Sequence, residues 1–345
     1  MLNKNNAKSP VLSSKEDLKL RIDNVNKTFM TNPKEYLELI KFQSKFYRYS
    51  PRNTKLIYSQ NPKAAFIASF KRWMDLGYTV LKGEKGIKIL VPIMSKFIQL
   101  ENGDVIKYSS ATKEQQKLAN SGQIPIIMKQ NFKVGNVFDI MQTNCPKSDY
   151  PKFLIGYPSI EHEKLYQAVK MYAEEKLHCP INEENFNSLS YRGNYNIENH
   201  SIKYNSVLDS TQKLSTTIHE ISHSILHAGI SIGTDKIIEQ VELEADSLSL
   251  MMHEQLGIEP TPAMQHHLLS QYSCLKESKY ADKIIESLDF VTNKYHEIAN
   301  DFAESINKYI QQQNAIQQSL DIQTQGNLEQ EAINEILNMD MNIEM

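Results

Sequence analysis

His219-Glu220-Ile221-Ser222-His223 constrains this chain more than any other stretch of it. Four residues advance an α-helix by about 400°, so histidines at this spacing leave one face a turn apart and can share a Zn2+. The flanking residues fit a helix that starts at Asp209 or Ser210, good N-caps, and stops at Gly229. Two imidazoles are half a catalytic site, because zinc catalysis needs a third protein ligand and a position left for water. Glu242 is the candidate. It lies 19 residues after His223 in Glu242-Leu243-Glu244-Ala245-Asp246, on a helix expected over 236–255 that a connection over 229–235 can fold back against the first. Asp246, one turn further on, can accept a hydrogen bond from a ligand histidine and fix its tautomer. Glu244 is the alternative ligand.

With three such ligands, zinc brings the pKa of its water from 15.7 toward about 7. Glu220, next to the first ligand, then has the reach to take the water's proton during attack on a carbonyl and return it to a leaving amine. Tyr191, Tyr195, Tyr204 and His253 are the candidates for an oxyanion donor. His227 sits about 80° round the helix from His219 and lacks the glycine turn that returns a third histidine in metzincins. It reads as a capping or packing residue.

The composition sets the frame for this site. Of 345 residues 40% are apolar and 23% charged, with mean hydropathy −0.48. That excludes collagen, wholesale disorder and membrane spanning, and the length suggests two domains. Cys145, Cys179 and Cys274 are odd in number and far apart, so a reducing cytoplasm is expected rather than a disulfide framework. Formal charge is only −3, yet residues 41–90 hold eleven basic and two acidic side chains. That net +9 leaves −12 for the remainder. Arg48, Arg52, Lys71 and Arg72 alternate there with aromatic residues, a mixture suited to neutralising phosphates while bases stack on rings. Phe66, Phe70 and Trp73 recur at helical spacing and are expected mostly in a core. In Lys82-Gly83-Glu84-Lys85-Gly86-Ile87-Lys88, two glycines permit close backbone approach between three lysines, although the P-loop spacing is absent.

The expected fold class is α+β in two domains. A flexible N-terminus over 1–20 precedes a basic helix-plus-sheet domain over 21–149. In it one helix opens at Pro33, a second runs from Pro62 through Trp73 to Gly77, and strands follow at 88–92, 97–108 and 132–140. Asn102-Gly103 is expected as a hairpin turn, and 110–129 as loop or lid. The second domain, 150–310, is expected to be mostly helical with a short antiparallel sheet, a strand-turn-strand over 188–205 turning at Gly193-Asn194. The tail, 311–345, has six acidic residues, no basic ones and eight glutamines, and reads as mobile or loosely helical. Leu328, Ile333, Ile336 and Leu337 suit a short docking helix there.

The first half resembles the ArdC family of anti-restriction proteins of mobile elements. The resemblance rests on Tyr49-Ser50-Pro51-Arg52-Asn53, Leu56 to Ala64, Phe70-Lys71-Arg72-Trp73 with Gly77, Lys82 to Ile87, and Val137-Phe138-Asp139 with Gln142-Thr143. The second half is similar to the ImmA/IrrE-type zinc peptidase domain through His219, Glu220, His223, His227 and the segment from Glu242 to Asp246. The resemblance implies single-stranded DNA as a partner of the first half and Zn2+ held by the second. It also implies protection of an incoming element from restriction, with a repressor or restriction component as possible protein substrate and no membrane partner. Two alternatives stay open: a regulatory endopeptidase that cuts a repressor, and a non-catalytic DNA-binding protein with structural zinc.

Overall fold

The structure is a computed structural model and describes residues 14–149, 161–186 and 191–341. It is mixed α+β and divides into two units, 1–42 with 49–152 and 43–48 with 153–345. Arg48 falls in the second of these units.

In the first unit, α1 (Ser14–Thr31), α2 (Pro33–Lys45) and α3 (Pro51–Gln60) come first. Residues 14–20, expected within a flexible terminus, are already helical, and Leu18 is buried. Pro33 opens α2 as expected, with Asn32 Oδ1 accepting from the Lys34 amide at 3.1 Å. Asn53 on α3 clasps the sheet: its side chain donates to Leu90 O and accepts from Leu90 N.

The helix expected from Pro62 to Gly77 does not form. Asp139, fully buried, accepts from the amides of Ala65 and Phe66 at 2.8 and 3.1 Å and pulls this stretch out straight. β1 (Ile67–Ser69) then pairs with Val137–Asp139, and only α4 (Phe70–Asp75), capped by Ser69, remains helical. Trp73 and Phe66 pack edge to face beneath it, whereas Phe70 is 48% exposed. A partner some 70 residues away has overridden the local periodicity.

β2 (Ile87–Gln99), β3 (Val105–Lys107) and β4 (Ile126–Asp139) complete a sheet of order β1-β4-β2-β3, all antiparallel. Twelve consecutive residue pairs from Ile87↔Val137 to Ile98↔Ile126 make β2 and β4 a long ribbon. Gly103, at φ +85°, supplies the left-handed residue of the expected turn. The stretch expected as a lid instead holds α5 (Lys113–Asn120), closed by a capping box between Thr112 and Gln115, and the start of β4.

In the second unit, α6 (His162–Lys176) precedes β5 (Ile181–Glu184), β6 (Gly193–Asn196) and β7 (Ser201–Asn205). The sheet is mixed rather than antiparallel: β6 pairs antiparallel with β7, and β5 lies parallel to β7 on its other side. β5 carries one buried residue, Ile181, so it left no alternating pattern to read. The chain reverses over 197–200, not at Gly193-Asn194. Asn196 Oδ1 holds the reversal by accepting from the amides of Glu198 and Asn199. Residues 188–190 of the expected strand lie outside the described residues, as does the boundary expected at 150.

α7 (Ser210–His227), α8 (Ile238–Leu256), α9 (Pro262–Glu277) and α10 (Lys283–Met341) finish the chain. A capping box between Asp209 and Gln212 starts α7, and Gly257 ends α8. α10 buries Ile284, Leu288, Val291, Tyr295, Ala299, Phe302 and Ile306 at helical spacing and continues as helix through the acidic tail. The side chains of the suggested docking residues lie outside those described. Among the described residues no helix is long and apolar enough to cross a membrane.

Candidate metal centre

α7 presents His219 and His223 toward α8, which presents Glu242. The two Nε2 atoms stand 3.2 Å apart, and Glu242 reaches them at 3.7 and 3.6 Å through its two carboxylate oxygens. Among the described residues this is the one group of His, Cys, Asp or Glu side chains whose ligand atoms cluster in this way, all within 4.8 Å. Tetrahedral ligands at the usual Zn–N length of about 2.0–2.1 Å lie roughly 3.3–3.4 Å from each other. The imidazoles already have that spacing, and the donor set of two nitrogens and a carboxylate fits a divalent cation.

The electrostatics agree. Burial alone would raise the Glu242 pKa, but His219 and His223 outweigh it and hold the carboxyl far below its usual range. Burial likewise opposes charge on His219, yet Asp246 and Glu242 lift its pKa well above the ordinary histidine value. Surroundings that so favour a proton between these groups favour a metal cation in its place.

Asp246 has the predicted contact. Its Oδ1 lies 3.1 Å from His219 Nδ1, which directs His219 Nε2 toward Glu242. Its Oδ2 accepts from His267 Nδ1 at 2.7 Å. His267, on α9, carried no spacing relation to the other histidines and was missed; only the tertiary fold brings it within reach.

Glu244, the alternative ligand, is not in the cluster. It is fully buried and turned away, accepting from Lys236 Nζ at 2.6 Å, Gln240 Nε2 at 3.0 Å and Ser287 Oγ at 2.7 Å. Burial would raise its pKa, but His227, Lys236 and Ser287 outweigh it and keep the pKa low. His227 does more than cap a helix: its ring sits 3.1 Å from both His223 Nδ1 and Glu244 Oε2, and burial depresses its pKa.

Glu220 lies beside the cluster, its Oε2 accepting from the Tyr195 amide at 2.7 Å. That bond exists because β6 lies almost on α7. A Cβ at Gly193 would meet Lys203 O at 2.8 Å and Thr216 Cγ2 at 2.9 Å. A cavity of about 380 Å3 adjoins the site, lined by His219, Glu220, Asp246, His267, Tyr191 and Met264 among others. Of the four oxyanion candidates only Tyr191 lines it. Tyr195 and Tyr204 direct their hydroxyls to His200 and Glu183, and His253 is buried against Ser249 O.

In the first unit, Arg52, Lys71, Arg72, Lys82 and Lys85 are exposed and Lys88 is half-buried; Arg48, in the second unit, is exposed. Lys55 is buried with its ammonium 5.6 Å from the Phe29 ring, so one of the eleven cations is not on the surface. The glycine-lysine loop is held by Gln142, whose amide donates to Glu84 Oε2 and Lys85 O. Phe70, Met74, Leu81 and Met141 are exposed on the same unit.

Two halves of different character are thus defined: a helix-borne His-His-Glu cluster that could hold a metal ion, and a basic α+β unit with exposed apolar residues. Residues 19–138 match the family described as the N-terminal domain of anti-restriction factor ArdC, a likeness that covers those residues. An uncharacterized protein of Bacillus anthracis is 28% identical over 298 residues, 82% of this chain. The chain spans about half the length of that relative, 49%. Two crystal structures of the antirestriction ArdC protein from the R388 plasmid also align. The metal-free form covers 75% of this chain and 86% of its own, at 17% identity and a TM-score of 0.42. The Mn(II)-bound form covers 75% and 85%, at 16% identity and 0.40.

Proposed function

We propose that this chain is an anti-restriction protein that binds single-stranded DNA through its first unit and hydrolyses a peptide bond at a zinc centre in its second. The observation that carries the reading is the convergence of His219, His223 and Glu242 beside an oriented Glu220. The ArdC-type N-terminal domain supports the anti-restriction role. His219, His223 and Glu242 would hold the zinc, which when bound supplies Lewis acidity toward water and a carbonyl oxygen.

The chain's own groups do the rest. Asp246 fixes His219, and the Tyr195 amide anchors one oxygen of Glu220 so that its carboxylate keeps one direction. Glu220 accepts a proton from the attacking water and passes it to the leaving amine. The adjoining cavity, with Tyr191 and Met264 on its wall, receives the peptide. In the first unit, Arg52, Lys71, Arg72, Lys82, Lys85 and Lys88 neutralise phosphates, and Phe70 offers a ring for a base.

The test uses metal content, peptide cleavage and fluorescence-detected binding of a labelled single strand. Glu220→Gln is expected to keep its zinc and DNA affinity while cleavage falls roughly 10²–10⁴-fold. Cleavage undiminished in that variant refutes the peptidase assignment. The triple variant Lys82→Ala, Lys85→Ala, Lys88→Ala should keep zinc and cleavage but bind DNA more weakly. Its slope of log affinity against log salt should be shallower by about 2, at roughly 0.7 per phosphate contact. An unchanged slope moves the DNA surface elsewhere.

A further inference from the structure

Among the described residues, the second histidine of the cluster meets no carboxylate at its Nδ1. Asp246 contacts His219 directly, whereas His223 Nδ1 meets another imidazole, that of His227, at 3.1 Å. Beyond His227 lies Glu244, and beyond Glu244 lies Lys236. We propose that His227, Glu244 and Lys236 form a positioning chain that selects the tautomer of His223 and thereby sets the affinity of the centre for its divalent metal. The proposal rests on the metal reading above.

The proton count allows a single arrangement. His223 Nε2 faces His219 and Glu242, so to act as a ligand it must carry a lone pair, and the proton of the neutral ring must sit on Nδ1. That N–H points at His227 Nδ1, which must therefore be bare and accept. The proton of His227 is then on Nε2, aimed at Glu244 Oε2, 3.1 Å away. Glu244 can accept it only as a carboxylate, and Lys236 Nζ at 2.6 Å, with donors from Gln240 and Ser287, keeps it one. With His227 and Glu244 almost wholly buried, solvent has no part in choosing the tautomer. Reversing any link leaves two donors or two acceptors face to face in a water-poor interior, a mismatch that falls on the ligand nitrogen.

A purely structural carboxylate would be satisfied by Lys236, Gln240 and Ser287. The fourth contact, to His227, is the one directed at the metal. Lys236 also rests 4.0 Å from the centre of the Phe290 ring, and Ser287 belongs to the same helix, α10. The ligand's orientation is thus supported from three helices.

The experiment titrates Co2+ into the metal-stripped full chain, reading the visible d–d absorption and measuring affinity by chelator competition. Thermal unfolding of the stripped proteins is followed alongside. Wild type is expected to bind one Co2+. His227→Leu should weaken binding by roughly 10–100-fold, the usual cost of losing such a supporting contact, and should alter the d–d bands. His227→Gln can accept from His223 with its amide oxygen and donate to Glu244 with its amide nitrogen, and should recover most of the loss. Glu244→Gln keeps the volume but removes the charge, and should weaken binding about tenfold, read at a temperature where thermal unfolding shows the stripped variant folded. Equal affinity and bands in Glu244→Gln and wild type overturn the proposal whether or not His227→Leu folds. So does a His227→Gln variant as weak as His227→Leu. If wild type takes up no Co2+, the metal reading itself fails and takes the proposal with it.

Discussion

The two units solve opposite problems with polar groups. In the second unit His223, His227 and Glu244 are buried and bonded in a row, and buried Asp246 is held between His219 and His267, so each has one orientation. In the first unit the lysines and arginines credited with DNA contact are largely exposed. A metal ion demands ligand atoms placed to a fraction of an ångström, and placement of that kind requires burial and a second layer of bonds. A phosphate backbone demands only charge density, because the counterions it releases supply most of the free energy. Order is invested where geometry matters and withheld where it does not.

That contrast can be broken most violently at the third ligand. Glu242→Ala should reduce zinc from about one equivalent to a small fraction, since two imidazoles alone make an incomplete site. Single-stranded DNA binding should be untouched. Elemental analysis and a binding titration on one preparation check both halves, and a fall in DNA affinity would show that the units are not separable in this way.

An intermediate effect is expected from acid. All ten histidines lie beyond residue 152, so the first unit has none. Burial lowers the pKa of His253 to about 4, and that of half-buried His296 likewise to about 4. The unfolded chain takes up protons near pH 6.5, before the folded one does. The associated stability is therefore whole above that pH and is lost as pH falls toward 4. For fully buried His253 the loss amounts to about 2–3 kcal/mol. Hydrogen exchange at pH 7 and 4.5 should show the second unit losing protection well before the first, and equal losses would contradict the assignment.

The smallest effect is expected at Phe70. If its exposed ring takes a base, Phe70→Ala should cost about 1–3 kcal/mol of single-strand affinity while leaving the salt slope unchanged. A changed slope would mean that the ring acts by positioning the neighbouring cations.

The same contrast governs what could be read from the residues alone. His219, His223 and Glu242 could be singled out because a helix turns spacing into direction, and Asp209 or Ser210 offered a cap for the start of that helix, which the structure closes at Asp209. The short stretch at 62–77 was not, because its outcome depends on Asp139, whose pull on Ala65 and Phe66 has no local trace. The ribbon of β2 and β4 was seen only in part, since its middle buries neither face fully and its polar and apolar residues, Pro92 and Lys96 in β2 and Lys129 to Lys133 in β4 among them, do not alternate cleanly in sequence. His227 and Glu244 were legible as residues but not as partners. Each invites a role by type, and only packing between α7 and α8 decides that one supports the other.

Gly193 has a consequence for anyone who surveys relatives of this chain by motif. A methyl group at that position would meet Lys203 O and the Thr216 side chain, push the edge strand off α7 and carry the Tyr195 amide away from Glu220. Such a homologue would retain every ligand and every proton carrier, load its ion, and still be mis-aimed. An inventory of reactive side chains would count it as competent, because what it has lost is a space.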